Sequence, residues 1–93
     1  MAGPDAVFRA LADPTRRDII KLLRKKDMTS GEIADRFPSA WPTISRHLAV
    51  LKDAGLISAE RNGNSIKYEL NTTVVQELAE HLMDWTRPGG KRA

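Results

Sequence analysis

Glu77 with His81, and Glu80 with Asp84, stand four residues apart near the C-terminal end of the chain, so on a helix each pair shares a face. Carboxylates and an imidazole at that spacing are candidate metal ligands. A tight transition-metal site usually takes more than one imidazole, and a lone histidine among acids suits a solvated or salt-bridged surface as well. A second group is Trp41, Thr43, Ser45, Arg46 and His47, in which small hydroxyls and one guanidinium are close-set hydrogen-bonding groups. A third is Arg61, Asn62, Asn64 and Lys67 around an Asn-Gly step. Covalent chemistry is poorly served. There is no cysteine, hence no disulfide, thiolate metal site or thiol redox sensor. The two histidines fall on different helices, no nucleophile sits beside a base and an orienting acid, and no glycine loop could cradle a phosphate. The chain does not read as an enzyme, and no cofactor is expected.

The elements that must position these groups follow from periodicity and punctuation. Pro4 to Leu11 reads as a first helix with Val7, Phe8 and Leu11 on one face. Asp13-Pro14 caps and starts a second helix, to about Lys25, whose buried side is Ile19, Ile20, Leu22 and Leu23. Thr29-Ser30-Gly31-Glu32 is a capping box for a third helix, with Met28 and Ile33 set to close as a hydrophobic staple. Ile33, Ala34 and Phe37 point inward, and Pro38 ends that helix. A fourth helix starts near Trp41-Pro42, carries a narrow apolar stripe of Ile44, Leu48 and Leu51, and stops at Gly55. Its other side holds Thr43, Ser45, Arg46, Ala49 and Val50. Short side chains there would let the helix axis come close to a groove. Leu56 to Arg61 and Ser65 to Leu70 alternate like strands, joined by Asn62-Gly63-Asn64 as a hairpin, with Arg61 and Lys67 flanking the tip. A last helix starts near Thr72-Thr73, with Gln76 placed to complete another capping box.

The fold class that results is mostly α with a small β-hairpin, an α+β winged helix-turn-helix of four helices, two strands and a last helix. Residues 1–86 form one domain and 87–93 a basic flexible tail. In the last helix Val75, Leu78, Leu82 and Trp85 follow a 3-4-3 spacing, a two-heptad seam. One small winged domain cannot cover both this seam and the Val7, Phe8 and Leu11 face. The two helices are therefore expected to pack against symmetry mates in a two-fold homodimer; the alternative is a last helix folded back on its own domain. The net charge of +3 comes from the tail, which holds three basic residues and no acid. The rest is polarised. Arg16, Arg17, Lys21, Arg24, Lys25 and Lys26 crowd one segment, while Glu77, Glu80 and Asp84 make the last helix acidic. That suits one face on phosphates and the other turned away, or ordinary solvated helix faces. No apolar run approaches the roughly 20 residues of a membrane span and no signal peptide is visible, so no membrane insertion and a cytoplasmic location are expected.

Four motifs, ALADPTRRDIIKLL (Ala10 to Leu23), MTSGEIADRF (Met28 to Phe37), WPTISRHLAVLKDAGLI (Trp41 to Ile57) and RNGNSIKYELNTT (Arg61 to Thr73), cover nearly the whole chain in order. With them the chain resembles the ArsR/SmtB family of small winged-helix bacterial repressors, and within it the metal-free, SdpR-type autorepressors. The resemblance implies a homodimer built on the first and last helices and a recognition helix, Trp41 to Asp53, entering the major groove of double-stranded DNA. Carried over by position, Trp41, Thr43, Ser45 and Arg46 match groove-facing positions, with His47 beside them. Arg46 is the candidate for a bidentate guanine contact. Arg61, Asn62, Asn64 and Lys67 match minor-groove or backbone contacts of the wing. The resemblance also implies a protein regulator that sequesters the repressor. The family's metal sites use cysteines on the third helix, absent here, or carboxylates and histidines on the last, where Glu77, Glu80, His81 and Asp84 are the only candidates. No metal is expected. One departure is that Ser39 and Ala40 stand where the family has an apolar residue and then Ser or Thr. Alanine cannot cap, so Ser39 is expected to cap from one residue earlier, which leaves the start of the recognition helix open by about one residue.

The resulting expectation is a sequence-specific, autoregulatory repressor that occupies an inverted-repeat operator. Two alternatives stand beside it: a ligand- or metal-responsive derepressor with its site on the last helix, and a winged-helix protein-interaction module.

Overall fold

The computed structural model describes residues 3–89. Helix α1 (Pro4–Leu11) buries Val7 and Ala10. Helix α2 (Pro14–Lys25) begins where the Asp13 carboxylate accepts from the Arg16 amide at 3.1 Å, with Pro14 in the first turn, where its missing N–H is no loss. Strand β1 (Met28–Thr29) leads directly into α3 (Ser30–Ala34). The capping box there is complete: Thr29 Oγ1 accepts from the Glu32 amide and the Glu32 carboxylate accepts from the Thr29 amide. The Thr29 amide holds the Glu32 carboxyl below its usual range, against a desolvation that raises it. Regular helix ends at Ala34 rather than next to Pro38. The backbone tightens into i to i+3 turns, Arg36 to Ile33 and Phe37 to Ala34, which stop just before the proline.

Helix α4 (Trp41–Asp53) buries Ile44, Leu48 and Leu51, as their spacing predicts. At its end Gly55 has φ +81°, the Leu56 amide donates to the Leu51 carbonyl and the Gly55 amide donates to the Lys52 carbonyl. This pair of bonds is a Schellman cap, which turns the chain into β2 (Ile57–Asn62). Strand β3 (Ser65–Leu70) returns antiparallel, with Asn62 opposite Ser65 and Ile57 opposite Leu70. Gly63, at φ +62°, is the first of the two turn residues, not the second. The hairpin therefore uses glycine in the leading place and keeps Asn62 in the strand. Helix α5 (Thr72–Asp84) is capped by Asn71, whose carbonyl oxygen accepts from the Val74 amide while its amide group donates to the Gly55 carbonyl. Asn71 thus takes the capping place expected of Thr72-Thr73 with Gln76, and it ties the start of α5 to the end of α4.

The sheet has three strands in the order β1-β3-β2, one more than the hairpin expected from sequence. Met28 and Thr29 pair with Tyr68 and Lys67. Two residues are too short for alternation to announce a strand, and their capping role masks it. A single core joins Ala10, Ile19, Leu23, Met28, Ile33, Ile44, Leu48, Leu51, Leu56 and Ile57. Phe37, Val74, Val75 and Leu78 lie half-buried against it. Of the expected basic tail, 87–93, residues 90–93 lie outside the described residues.

Candidate nucleic-acid interface

Helix α4 is anchored on one side only. Ile44, Leu48 and Leu51 fix it to the core, and Trp41, Pro42, Ser45, Arg46 and Ala49 are exposed on the rest of its surface, with Thr43 half-buried. Trp41 keeps 52% of its surface exposed. It therefore does not seal the preceding turn. The N-cap is Ala40, with no side-chain cap, so the expected Ser39 bond is not formed; the Ala40 carbonyl accepts from the Thr43 and Ile44 amides instead. That places Trp41 at the first helical position. Among the described residues, no ion pair involves Arg46. The exposed strip thus combines an indole, a hydroxyl, a guanidinium and a methyl group, with donors and apolar atoms interleaved.

His47 departs from its neighbours. Its side chain is 16% exposed. Nδ1 lies 3.2 Å from Arg16 Nη1, and Nε2 lies 3.9 Å from Asp13 Oδ2. The guanidinium has donors only, so Nδ1 accepts and the neutral ring carries its proton on Nε2, toward Asp13. Arg16 goes further, donating from Nε to the Ala10 carbonyl at 2.6 Å and from Nη2 to the Arg9 carbonyl at 3.1 Å. Asp13 is held below its usual carboxyl range by the Arg16 amide, against a desolvation that raises it. The proposed groove-facing group of five therefore divides. Trp41, Ser45 and Arg46 are presented outward, Thr43 partly so, and the polar atoms of His47 are engaged inside the protein.

The wing residues divide as well. Arg61 pairs with Ile66 and Lys67 pairs with Glu60, positions one apart along the ladder. Successive strand residues point to opposite faces, so Arg61 and Lys67 lie on opposite faces of the hairpin. Lys67 is also opposite Thr29 on the other side of β3, and its charge helps to lower the Glu32 carboxyl. It lies one rung further from the turn than Arg61, on the opposite face and next to β1. Asn62 and Asn64 are exposed at the turn.

Among the residues expected at a dimer contact, Val7 is buried in the core of its own chain, which corrects its assignment to an outer face. Leu11, Val75 and Leu78 are half-buried against the same core. Phe8 packs within one chain on α5, its ring 6.1 Å from Trp85 and stacked at 26°, and 6.4 Å from His81. Leu82 and Trp85 remain exposed, at 39% and 66%, with Met83 beside them at 60%. The metal candidates are not gathered. Among the described residues no three His, Asp or Glu side chains are close enough to hold an ion. Asp84 pairs with Arg87 at 3.4 Å, and the His81 ring lies against Trp85 at 5.5 Å. The residues that sequence reasoning missed are Arg16 and the Asp13 contact to His47. Asp13 was legible as a cap, but nothing in the spacing tells that residues 31 apart would meet.

Residues 13–59 match the family described as bacterial regulatory protein, arsR family. The chain is 47% identical over 83 residues to the transcriptional repressor SdpR of Bacillus subtilis, covering 89% of this chain and 92% of that protein. It is 39% identical to the HTH-type transcriptional regulator Rv2034 of Mycobacterium tuberculosis, covering 91% of this chain and 80% of that one. The fold superimposes on an ArsR-like transcriptional regulator from Rhodococcus sp. RHA1 with a TM-score of 0.78, at 30% identity, over 86% of this chain and 76% of that chain.

Proposed function

We infer the function of this chain from one premise: it belongs to the arsR family of bacterial regulatory proteins. It is a DNA-binding transcriptional repressor on a winged helix-turn-helix and not an enzyme. The finer reading is ours. The protein acts as a homodimer that places two copies of α4 in successive major grooves of an inverted repeat, its half-sites about one helical turn apart. Trp41, Thr43, Ser45 and Arg46 read the groove; Arg61, Asn62 and Asn64 at the wing contact the backbone or minor groove. Residues 1–86 form the DNA-binding and dimerisation unit, with 87–93 a basic tail. The operator lies upstream of its own gene, the location is the cytoplasm, and the family resemblance adds a sequestering protein regulator to the partners. Among the described residues no helix is long and apolar enough to cross a membrane.

The observation that carries this reading is the one-sided anchoring of α4, with an uncommitted Arg46 and small neighbours on its open side. The test is fluorescence anisotropy of the purified protein on its own upstream DNA and on scrambled DNA, across a salt series and without added metal. Tight binding to the first, weak binding to the second and a steep salt dependence are expected. Weak and equal binding to both would place the operator elsewhere or remove autoregulation from the reading.

A further inference from the structure

We propose that Arg16 is a positioning residue for DNA recognition, tying the recognition helix α4 through His47 to the C-terminal end of α1. The guanidinium serves two elements at once. Nε and Nη2 take the Ala10 and Arg9 carbonyls in the last turn of α1, where the Arg9 carbonyl also accepts from the Ala12 amide. Nη1 then points at His47 Nδ1, nearly two turns into α4 and next to Arg46. A planar fork with its donors committed in three directions has little freedom to turn, which is the property a spacer between two helices needs. Asp13 closes the arrangement. It caps α2 through the Arg16 amide and stands 3.9 Å from His47 Nε2, so the ring has a polar neighbour on each nitrogen.

The apolar hold on α4 is narrow. Ile44, Leu48 and Leu51 lie along one line with Val50 half-buried beside it, so apolar contacts resist rolling about that line only weakly. His47 is the polar contact off that line, between the open face and the core. Rolling α4 would carry Arg46 away from its base, and the Arg16 to His47 bond resists that motion. The proposal rests on the reading that α4 enters the groove, but the clamp itself exists without DNA.

Arg17 provides a control. It donates to the Leu11 carbonyl at 2.9 Å, so it also caps α1, but none of its hydrogen bonds reaches α4. Arg16→Met, Arg17→Met, His47→Leu and His47→Asn are compared by amide hydrogen exchange of the free protein and by anisotropy on operator and scrambled DNA. Asparagine keeps an acceptor near the Nδ1 position. Loss of a charge that merely meets phosphates weakens both DNAs alike, whereas loss of positioning weakens the operator selectively. Arg16→Met and His47→Leu are expected to raise exchange over residues 43–47 and to lower the operator-to-scrambled ratio by about tenfold. Arg17→Met should change neither, and His47→Asn should keep most of the ratio. If Arg16→Met fails to fold, His47→Leu decides. Arg16→Met behaving like Arg17→Met, or His47→Leu leaving α4 exchange at the wild-type rate, overturns the proposal. A wild type that exchanges as expected but does not discriminate between DNAs sinks the groove reading and leaves the clamp standing.

Discussion

Arg46 stands exposed and unpaired among the described ion pairs, while His47 beside it is engaged by Arg16 and Asp13. Adjacent residues on a helix are about 100° apart, so one can serve the groove and the next the core. From sequence the two look alike, both polar and both beside an apolar stripe. What separates them is a partner brought from α2 by the fold, and that is not written locally. Arg46→Ala is expected to cost operator binding about 1–3 kcal/mol, the range of one good bidentate base contact, and to relax preference at one base pair in each half-site. Binding to a panel of operators, each changed at one position, reads this directly. A mutant that discriminates as well as the wild type would move the base contact to another residue. The fold should be untouched, since Arg46 is exposed and contributes nothing to the core.

At the scale of elements, caps and turns carried most of the legible information. The Thr29 to Glu32 box, the Asp13-Pro14 start and the Gly55 stop are local chemistry, and each is present. What was not legible depended on pairing. The strand at Met28–Thr29 exists because β3 passes beside it, and Gln76 lost its capping place because Asn71 also had Gly55 to bond. Gly55 tests this level. A Cβ there meets nothing nearer than Val74 Cγ2 at 4.0 Å, so the space is open and only the left-handed backbone resists. Gly55→Ala should lose about 1–2 kcal/mol, read as a drop in thermal midpoint, and Gly55→Asn less, because asparagine tolerates that conformation. Equal losses for the two would point to packing instead. The wing gives a second test. Arg61 and Lys67 lie on opposite faces, and Lys67 pairs with Thr29 of β1 on its other side. Arg61→Ala should therefore weaken DNA binding and lower the salt slope by about 1, whereas Lys67→Ala should leave the slope near its wild-type value. The reverse result would put the Lys67 face of the hairpin, not the Arg61 face, on the phosphates.

The whole molecule is longer than one compact domain of its size should be. It spans 52 × 24 × 23 Å with a radius of gyration of 15.0 Å, against about 12 Å for a compact chain of this length. Helix α5 shows why. Its first half packs on the core through Val74, Val75 and Leu78, and its second half presents Leu82, Met83 and Trp85 to solvent, with the Trp85 ring against Phe8 and His81. The heptad spacing foresaw an apolar seam. It did not foresee that the seam would be shared, half for its own core and half left over, because periodicity records which residues are apolar and not what covers them. A small core with a leftover apolar end is relieved by a second copy. Leu82→Glu puts a charge into that end without touching the core. It should shift sedimentation velocity from dimer to monomer at micromolar concentration and leave far-ultraviolet circular dichroism unchanged. Binding to the full inverted repeat should then fall to the level of a single half-site, since the two α4 helices no longer arrive linked. If the variant sediments as a dimer, the interface is not the end of α5, and the two-fold spacing of the recognition helices must be set by another surface.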